Sequence, residues 1–166
     1  MDKITRIDKL VALVNTVGGE ITGRKKIHKI VYLCQQKGIE LGQDFIFHHY
    51  GVYSPSLSDD LQQAEKWELI EEKIMEGPMG MTYKYTLNGE SEDFKNDVLK
   101  EKEFISLLAE KQSGVLEVLS TIVYLDNQGY SGDKLLEKLD VLKGHLDGYF
   151  PEAIELAKEM FNIHIN

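Results

Sequence analysis

The side chains best suited to binding chemistry form a basic cluster at the start of a predicted helix. Residues 24–29 read Arg-Lys-Lys-Ile-His-Lys, so the cations fall within two helical turns. The first turn of a helix carries a partial positive charge, and each exposed cation there costs about 0.3–1 kcal/mol. A phosphate, a carboxylate of a partner or an acid from the second half of the chain is needed to offset that cost. Ordinary surface ion pairs are the simpler explanation, because the chain carries an excess of acids.

A second segment is rich in aromatic residues: residues 48–55 read His-His-Tyr-Gly-Val-Tyr-Ser-Pro. Successive strand residues point to opposite faces, so His48 and His49 cannot clamp one metal ion together. The simpler interpretation is a strand end and a tight turn that fix the following helix, with packed tyrosines whose hydroxyls bond to backbone. The functional interpretation is an aromatic-rimmed pocket beside the basic cluster. The residues predicted to bind a partner or an anion are Arg24, Lys25, Lys26, His28, Lys29, His49, Tyr50, Gly51, Tyr53, Ser54 and Pro55.

The sequence holds no constellation typical of an enzyme. Cys34, the sole cysteine, lies on the apolar stripe of its helix, and His28 falls on a different face, so a buried structural thiol is expected. The histidines lack the spacing of a zinc site. P-loop and Gly-x-Gly-x-x-Gly motifs are absent. We therefore predict no catalytic residues, no metal and no cofactor.

Helices and short strands must position these segments. Apolar residues at helical spacing predict helices over residues 4–17, 24–37 and 57–67, and Ser56 is placed to cap the third. Alternating residues predict a short extended link at 20–22, a strand over 44–50 and a β-hairpin of strands 69–75 and 81–87 around the turn 77–80. This order is that of a winged helix.

Helical spacing then continues through residues 91–166. One helix is predicted through Phe94, Val98, Ile105 and Leu108, two more follow, and Pro151 suits the first turn of the last. The sequence thus predicts a mostly α (α+β) fold. A winged-helix-like domain with a small β-hairpin is expected over residues 1–88, and a C-terminal helical bundle packed on it over residues 89–166.

Composition bounds the class of protein. The chain has 166 residues and a formal net charge of −9, with 42% hydrophobic and 28% charged residues, which is typical of a globular protein. A single cysteine excludes an internal disulfide and fits a reducing compartment. The N-terminus lacks the apolar core of a signal peptide, and no apolar run approaches the ~20 residues of a membrane helix. We therefore expect a cytoplasmic protein that does not enter a membrane.

The sign of the charge separates two classes of partner. The third predicted helix, which reads DNA in a winged helix, holds three acids and one base between residues 56 and 66. Lysine and arginine contacts to phosphate supply most of the non-specific affinity for DNA. The acidic third helix therefore disfavours nucleic acid and favours a protein partner.

Both motifs resemble a known family. Residues 24–33 are similar to the basic helix of the YwgA family of bacterial proteins, and residues 47–57 are similar to its aromatic-Tyr-Gly-x-Tyr-Ser-Pro segment. Val52 stands where that family usually has proline. The Lys-x-x-Lys-x-x-Tyr helix followed by the Tyr-Gly turn also resembles, more distantly, the Panacea family of antitoxin-like proteins. The resemblance covers residues 1–88 and implies a non-catalytic role in which the protein grips a protein partner.

These observations lead to two hypotheses. The first is a non-enzymatic cytoplasmic adaptor or regulatory module that binds a protein partner, as antitoxins and proteolysis adaptors do. The alternative is a winged-helix DNA-binding transcriptional regulator. A homodimer formed through the helical half is a further expectation.

Overall fold

The computed structural model describes residues 1–78, 80–88 and 97–165. The first half alternates helices with short strands. In chain order these are α1 (Lys3–Thr16), β1 (Glu20–Thr22), α2 (Arg24–Gln36), β2 (Ile46–His48), β3 (Gly51–Tyr53), α3 (Pro55–Lys66), β4 (Ile70–Gly77) and β5 (Gly80–Leu87). Met79, in the predicted hairpin turn, lies outside the described residues.

Helix α1 shows how the local sequence sets the ends of an element. The Asp2 side chain caps its start by accepting a hydrogen bond from the N–H of Thr5 at 2.8 Å. Gly18 and Gly19 follow its end with φ near +89° and +90°, a conformation that glycine adopts without strain. The predicted apolar stripe is buried along α1, from Ile7 to Val14.

The strands form two antiparallel sheets. One has the order β1-β5-β4, with Ile21 of β1 opposite Tyr85 of β5. Strands β4 and β5 form the predicted hairpin and pair along their whole length. Strand β1 pairs only with residues 84–86, so β5 extends beyond it toward the hairpin turn. The second sheet is the short hairpin of β2 and β3.

The aromatic segment differs from the prediction in two respects. The strand predicted over residues 44–50 is limited to β2, and Gly51, expected to break the chain, begins β3. Gly51 has φ +89°, so it completes the turn formed by His49 and Tyr50 and returns the chain along β2. Ser54, rather than Ser56, caps α3: its side chain accepts from the N–H of Leu57 at 3.1 Å, and Pro55 occupies the first turn.

The second half is helical. Its elements are α4 (Asp97–Lys100), α5 (Lys102–Glu110), α6 (Ser113–Asn127), α7 (Gly132–Lys143), a 3-10 helix (Gly144–Tyr149) and α8 (Phe150–Phe161). The helix predicted through residues 94–108 is therefore two helices that meet at Glu101, and Phe94 lies outside the described residues. Pro151 stands in the first turn of α8, as predicted.

One apolar core joins the two halves. Helix α6 is buried along most of its length and packs against α2, α7 and α8. Residues of α1, α2 and α3 share a single cluster with residues of α5, α6 and α8. The predicted mostly helical α+β class is confirmed. No helix within the described residues is long and apolar enough to cross a membrane.

Candidate functional site

A cavity of about 520 Å³ lies beside the first two turns of α2. Its other walls come from the β2–β3 turn, α3 and the β4–β5 hairpin. We call it the basic–aromatic cavity, because the side chains that characterise it are Arg24, Lys25, Lys26, His28, Lys29, Tyr50, Tyr53, Tyr83 and Tyr85. The structure thus brings together the two motifs that the sequence singles out. Of the predicted binding residues, His49, Gly51, Ser54 and Pro55 do not line it.

Arg24 ties the start of α2 to the sheet. Its guanidinium forms an ion pair with Glu72 at 2.9 Å and donates to the Tyr85 hydroxyl at 3.3 Å. It also lies 3.7 Å above the ring of Tyr83. Burial raises the pKa of the Tyr85 hydroxyl, so this group stays a neutral acceptor. The positive charge of Arg24 is therefore balanced by an ordinary surface ion pair with Glu72, as the simpler explanation of the basic cluster expects.

Lys25 and Lys26 have a different environment. The Lys25 ammonium lies 3.7 Å above the ring of Tyr50, and burial lowers the pKa of Lys26. Within the described residues, neither ammonium forms a salt bridge or a hydrogen bond. The preceding residue, Gly23, offers no side chain to cap the helix. Two cations beside a helix N-terminus therefore face the cavity without an ion pair, since Glu72, the carboxylate that lines it, is paired with Arg24.

His28 is a structural link between α2 and α3. Its Nδ1 accepts from the backbone N–H of Ser54 at 3.1 Å, and its Nε2 lies 3.3 Å from Ser58 Oγ. The ring stacks on Tyr53 with centroids 4.6 Å apart. Burial, assisted by Lys29 and Arg24, lowers the pKa of His28 to about 4. The imidazole is therefore neutral, and Ser54, which is fully buried, serves as a helix cap.

Lys29 belongs to a buried ionic cluster that sequence analysis missed in part. The ammonium groups of Lys29 and Lys143 donate to the carbonyls of Val52 at 3.1 Å and His49 at 3.0 Å. Glu117 of α6 pairs with Lys143 at 2.9 Å and also attracts Lys29. The side chains of Lys29 and Lys143 are 2% and 1% exposed. Burial nevertheless dominates and lowers the pKa of Lys29 to about 8.

This cluster positions the turn that carries Tyr50. Lys29 holds strand β3 and Lys143 holds the turn, each through a backbone carbonyl. A Cβ at Gly51 would lie 3.6–3.7 Å from Lys29 and Glu117. From the sequence, an acid of the second half is one of the groups expected to offset the charge of the basic cluster. Glu117 does this for Lys29 and not for the other cations of the basic cluster. A lysine among the leucines of a predicted helix gives no signal that it is buried, so Lys143 could not be found from the sequence.

The aromatic turn itself is exposed. The rings of His48 and His49 lie 4.6 Å apart, centroid to centroid, while His48 and Tyr50 are 5.8 Å apart. Among the described residues, no group of histidine, cysteine and carboxylate side chains has the arrangement of a metal site. Of this aromatic segment, Tyr50 and Tyr53 line the cavity.

The charge of α3 also differs from that indicated by the sequence. Asp60, counted there as a surface acid, is 1% exposed and forms a two-pronged ion pair with Arg6 at 2.7 and 3.1 Å. Gln43 donates to the same carboxylate at 2.8 Å. The exposed face of α3 keeps Asp59 and Glu65 with Lys66, so it is less acidic than predicted but not basic.

The chain is 26% identical over 152 residues to an uncharacterized protein, YwgA, of Bacillus subtilis (strain 168). The matched region covers 87% of this chain and 90% of that protein. This similarity confirms the resemblance to the YwgA family, and it extends well into the helical half. No family model matches the chain, and no solved structure matches it significantly. The more distant resemblance to the Panacea family stays a prediction.

Proposed function

We propose that this relative of YwgA is a cytoplasmic, non-catalytic adaptor or regulatory module with a winged-helix-like first half, and that it binds an acidic segment of a protein partner in the basic–aromatic cavity. One observation carries the proposal: Lys25 and Lys26 face the cavity without an ion-pair partner among the described residues, because the Glu72 carboxylate in its wall is paired with Arg24. An acidic side chain of a partner would supply the missing charge.

The walls of the cavity support a protein ligand. Tyr50 and Met81, which line the cavity, are 51% and 61% exposed. Ile74, which pairs with Tyr83 and so shares its face of the hairpin, is 58% exposed. Aromatic residues and methionine are enriched at the centre of protein interfaces, and cations beside them favour an acidic partner. In a partner segment that combines acidic with apolar residues, the acidic residues would pair with the lysines and the apolar residues would pack on the aromatic and apolar side chains.

The histidine in the cavity wall, His28, and the cysteine, Cys34, are engaged in the fold, which supports a non-catalytic role. Both ring nitrogens of His28 have partners that join α2 to α3. Cys34 is fully buried, and burial raises the pKa of its thiol, which opposes thiolate formation. The cavity is thus better equipped to hold a ligand than to transform one.

Charge reversal tests this proposal. Lys25→Glu with Lys26→Glu should abolish the capture of partner proteins from a lysate of the source cells, identified by mass spectrometry, because the reversed charges repel an acidic segment. The matched control is Lys134→Glu with Lys158→Glu, which changes the net charge equally on exposed positions of α7 and α8. Both double variants should keep the melting temperature within a few degrees. Equal capture by the two variants would contradict the proposal.

The DNA-binding alternative gains from one observation, the neutralisation of Asp60 by Arg6. The exposed face of α3 nevertheless offers Lys66 as its single cation within the described residues. A mobility-shift experiment at about 50 mM salt, where phosphate contacts are strongest, separates the hypotheses. A complex whose affinity falls steeply as salt is added would favour DNA binding. The absence of a complex would favour the protein partner.

A further inference from the structure

The cavity-facing part of β5 has an open backbone edge. The N–H of Leu87 donates to the carbonyl of Gly19, and the carbonyl of Tyr83 accepts from the N–H of Gly23. The N–H and C=O of one strand residue point to the same edge, and this edge alternates along the strand. The odd-numbered residues of β5 therefore point toward β1. Because β1 ends at Thr22, opposite Lys84, the backbone of Met81 points to an edge with no strand beside it in the described part of the chain.

This edge differs from the other open edge of the sheet. The outer strand β4 carries charged side chains along its length: Glu71, Glu72, Lys73 and Glu76. Charged side chains on an edge strand discourage pairing with another chain. The open part of β5 carries Met81 and Thr82 and ends at Tyr83, whose carbonyl is already bonded to Gly23. None of these three side chains is charged, and all three residues line the basic–aromatic cavity.

We propose that the partner segment binds as an added β-strand: an extended acidic peptide pairs with the open edge of β5 and places a carboxylate at Lys25 and Lys26. This inference rests on the proposed function and specifies how the ligand is held. Strand addition supplies affinity through the backbone, and the cations select acidic side chains. Charge complementarity and the uncharged edge together identify the occupant, because the cations would repel a basic segment and a helical segment could not pair with the edge.

The edge can be blocked without removing a hydrogen bond of the hairpin. Met81 pairs with Glu76 but directs its N–H away from β4, whereas Thr82 directs its N–H toward β4. Met81→Pro therefore removes a donor only from the open edge, and Gly80 tolerates the restriction that proline imposes on the residue before it. Met81→Ala shortens the same side chain and keeps the donor, so it is the matched control.

The test uses a synthetic peptide of alternating glutamate and valine and the full-length protein labelled with ¹⁵N. We expect the peptide to shift the amide signals of Met81 and Tyr83, and we expect an alternating lysine–valine peptide to leave them in place. Met81→Pro should weaken binding of the glutamate–valine peptide by about tenfold or more, and Met81→Ala by less than about threefold. N-methylation of alternate peptide groups should abolish binding.

Two outcomes would overturn the added-strand proposal. In the first, the amide signals of Met81 and Tyr83 do not change when the glutamate–valine peptide is added. In the second, the Met81→Pro variant binds this peptide as tightly as the unsubstituted protein does. Either result leaves the proposed function standing if charge reversal at Lys25 and Lys26 still abolishes partner capture. If charge reversal at Lys25 and Lys26 does not affect partner capture, the proposed function itself is contradicted.

Discussion

The imidazole of His28 accepts a hydrogen bond from the backbone N–H of Ser54, with Nδ1 and N 3.1 Å apart. Ser54 in turn caps α3 through the N–H of Leu57. The position of α3 against α2 therefore depends on a histidine that carries no proton at Nδ1. This relationship makes the fold sensitive to acid.

The His28 pKa lies near 4 in the folded protein, against an ordinary value of 6.5. Between these values the unfolded chain binds a proton that the folded protein does not, so the free energy of unfolding falls as the pH falls. The expected loss from this group between pH 7 and about 4.5 is about 2 kcal/mol. His28→Asn keeps an acceptor for the Ser54 N–H and cannot titrate. Urea unfolding of both proteins at each pH should show a smaller acid loss for His28→Asn; identical losses would rule out His28 as the cause.

Lys29 is expected to produce a rise in stability at alkaline pH. Its pKa is about 8 when folded, against 10.5 ordinarily, so between these values the unfolded chain again holds the extra proton. The free energy of unfolding contributed by Lys29 should increase by about 2 kcal/mol from pH 8 to 10. Lys29→Met removes this increase, and Lys134→Met, at an exposed position, is the control. Parallel pH profiles for unsubstituted protein and Lys29→Met would refute the assignment.

Glu117 compensates two buried lysines. Glu117→Gln would leave both ammonium groups without their carboxylate, and the expected destabilisation is about 3 kcal/mol. Glu152→Gln breaks the exposed pair with Lys111, whose atoms are 3.2 Å apart, and should cost no more than about 1 kcal/mol. Equilibrium denaturation of the two variants measures both values. Similar small losses for the two would show that the buried cluster is not a stabilising element.

Asp60 and Asp59 are neighbours on α3, but only the substitution of Asp60 is expected to lower the free energy of unfolding substantially. Asp60→Asn leaves the partly buried Arg6 guanidinium without a charged partner and removes the charge from a buried site, so the expected destabilisation is about 2 kcal/mol. Asp59→Asn changes an exposed side chain and should stay within about 0.5 kcal/mol. Thermal unfolding distinguishes the two, and an equal effect would mean that Asp60 is a surface acid after all.

The helices could be predicted from the sequence because their apolar spacing is the same signal that buries them. Ile27, Ile30 and Val31 of α2 and Leu57 and Leu61 of α3 are all buried, as their spacing indicates. The two motifs that line the cavity were also recognisable, since their residue types are unusual at those positions.

The details that control the cavity could not be predicted. Whether Gly51 ends a strand or begins one depends on pairing with β2, and sequence alone does not reveal a strand of three residues. Asp60 and Lys143 read as surface charges because their partners, Arg6 and Glu117, are distant along the chain. Buried ion pairs leave no periodic pattern, so they emerge only when tertiary contacts are known.

The burial of Cys34 has a practical consequence for spectroscopy. Its side chain is 0% exposed, and its raised thiol pKa makes it a poor target for maleimide reagents under native conditions. A second cysteine introduced at the cavity rim would thus be the preferred site of labelling without prior removal of the natural one. Fluorophores or spin labels could be attached to a protein whose core is otherwise unaltered.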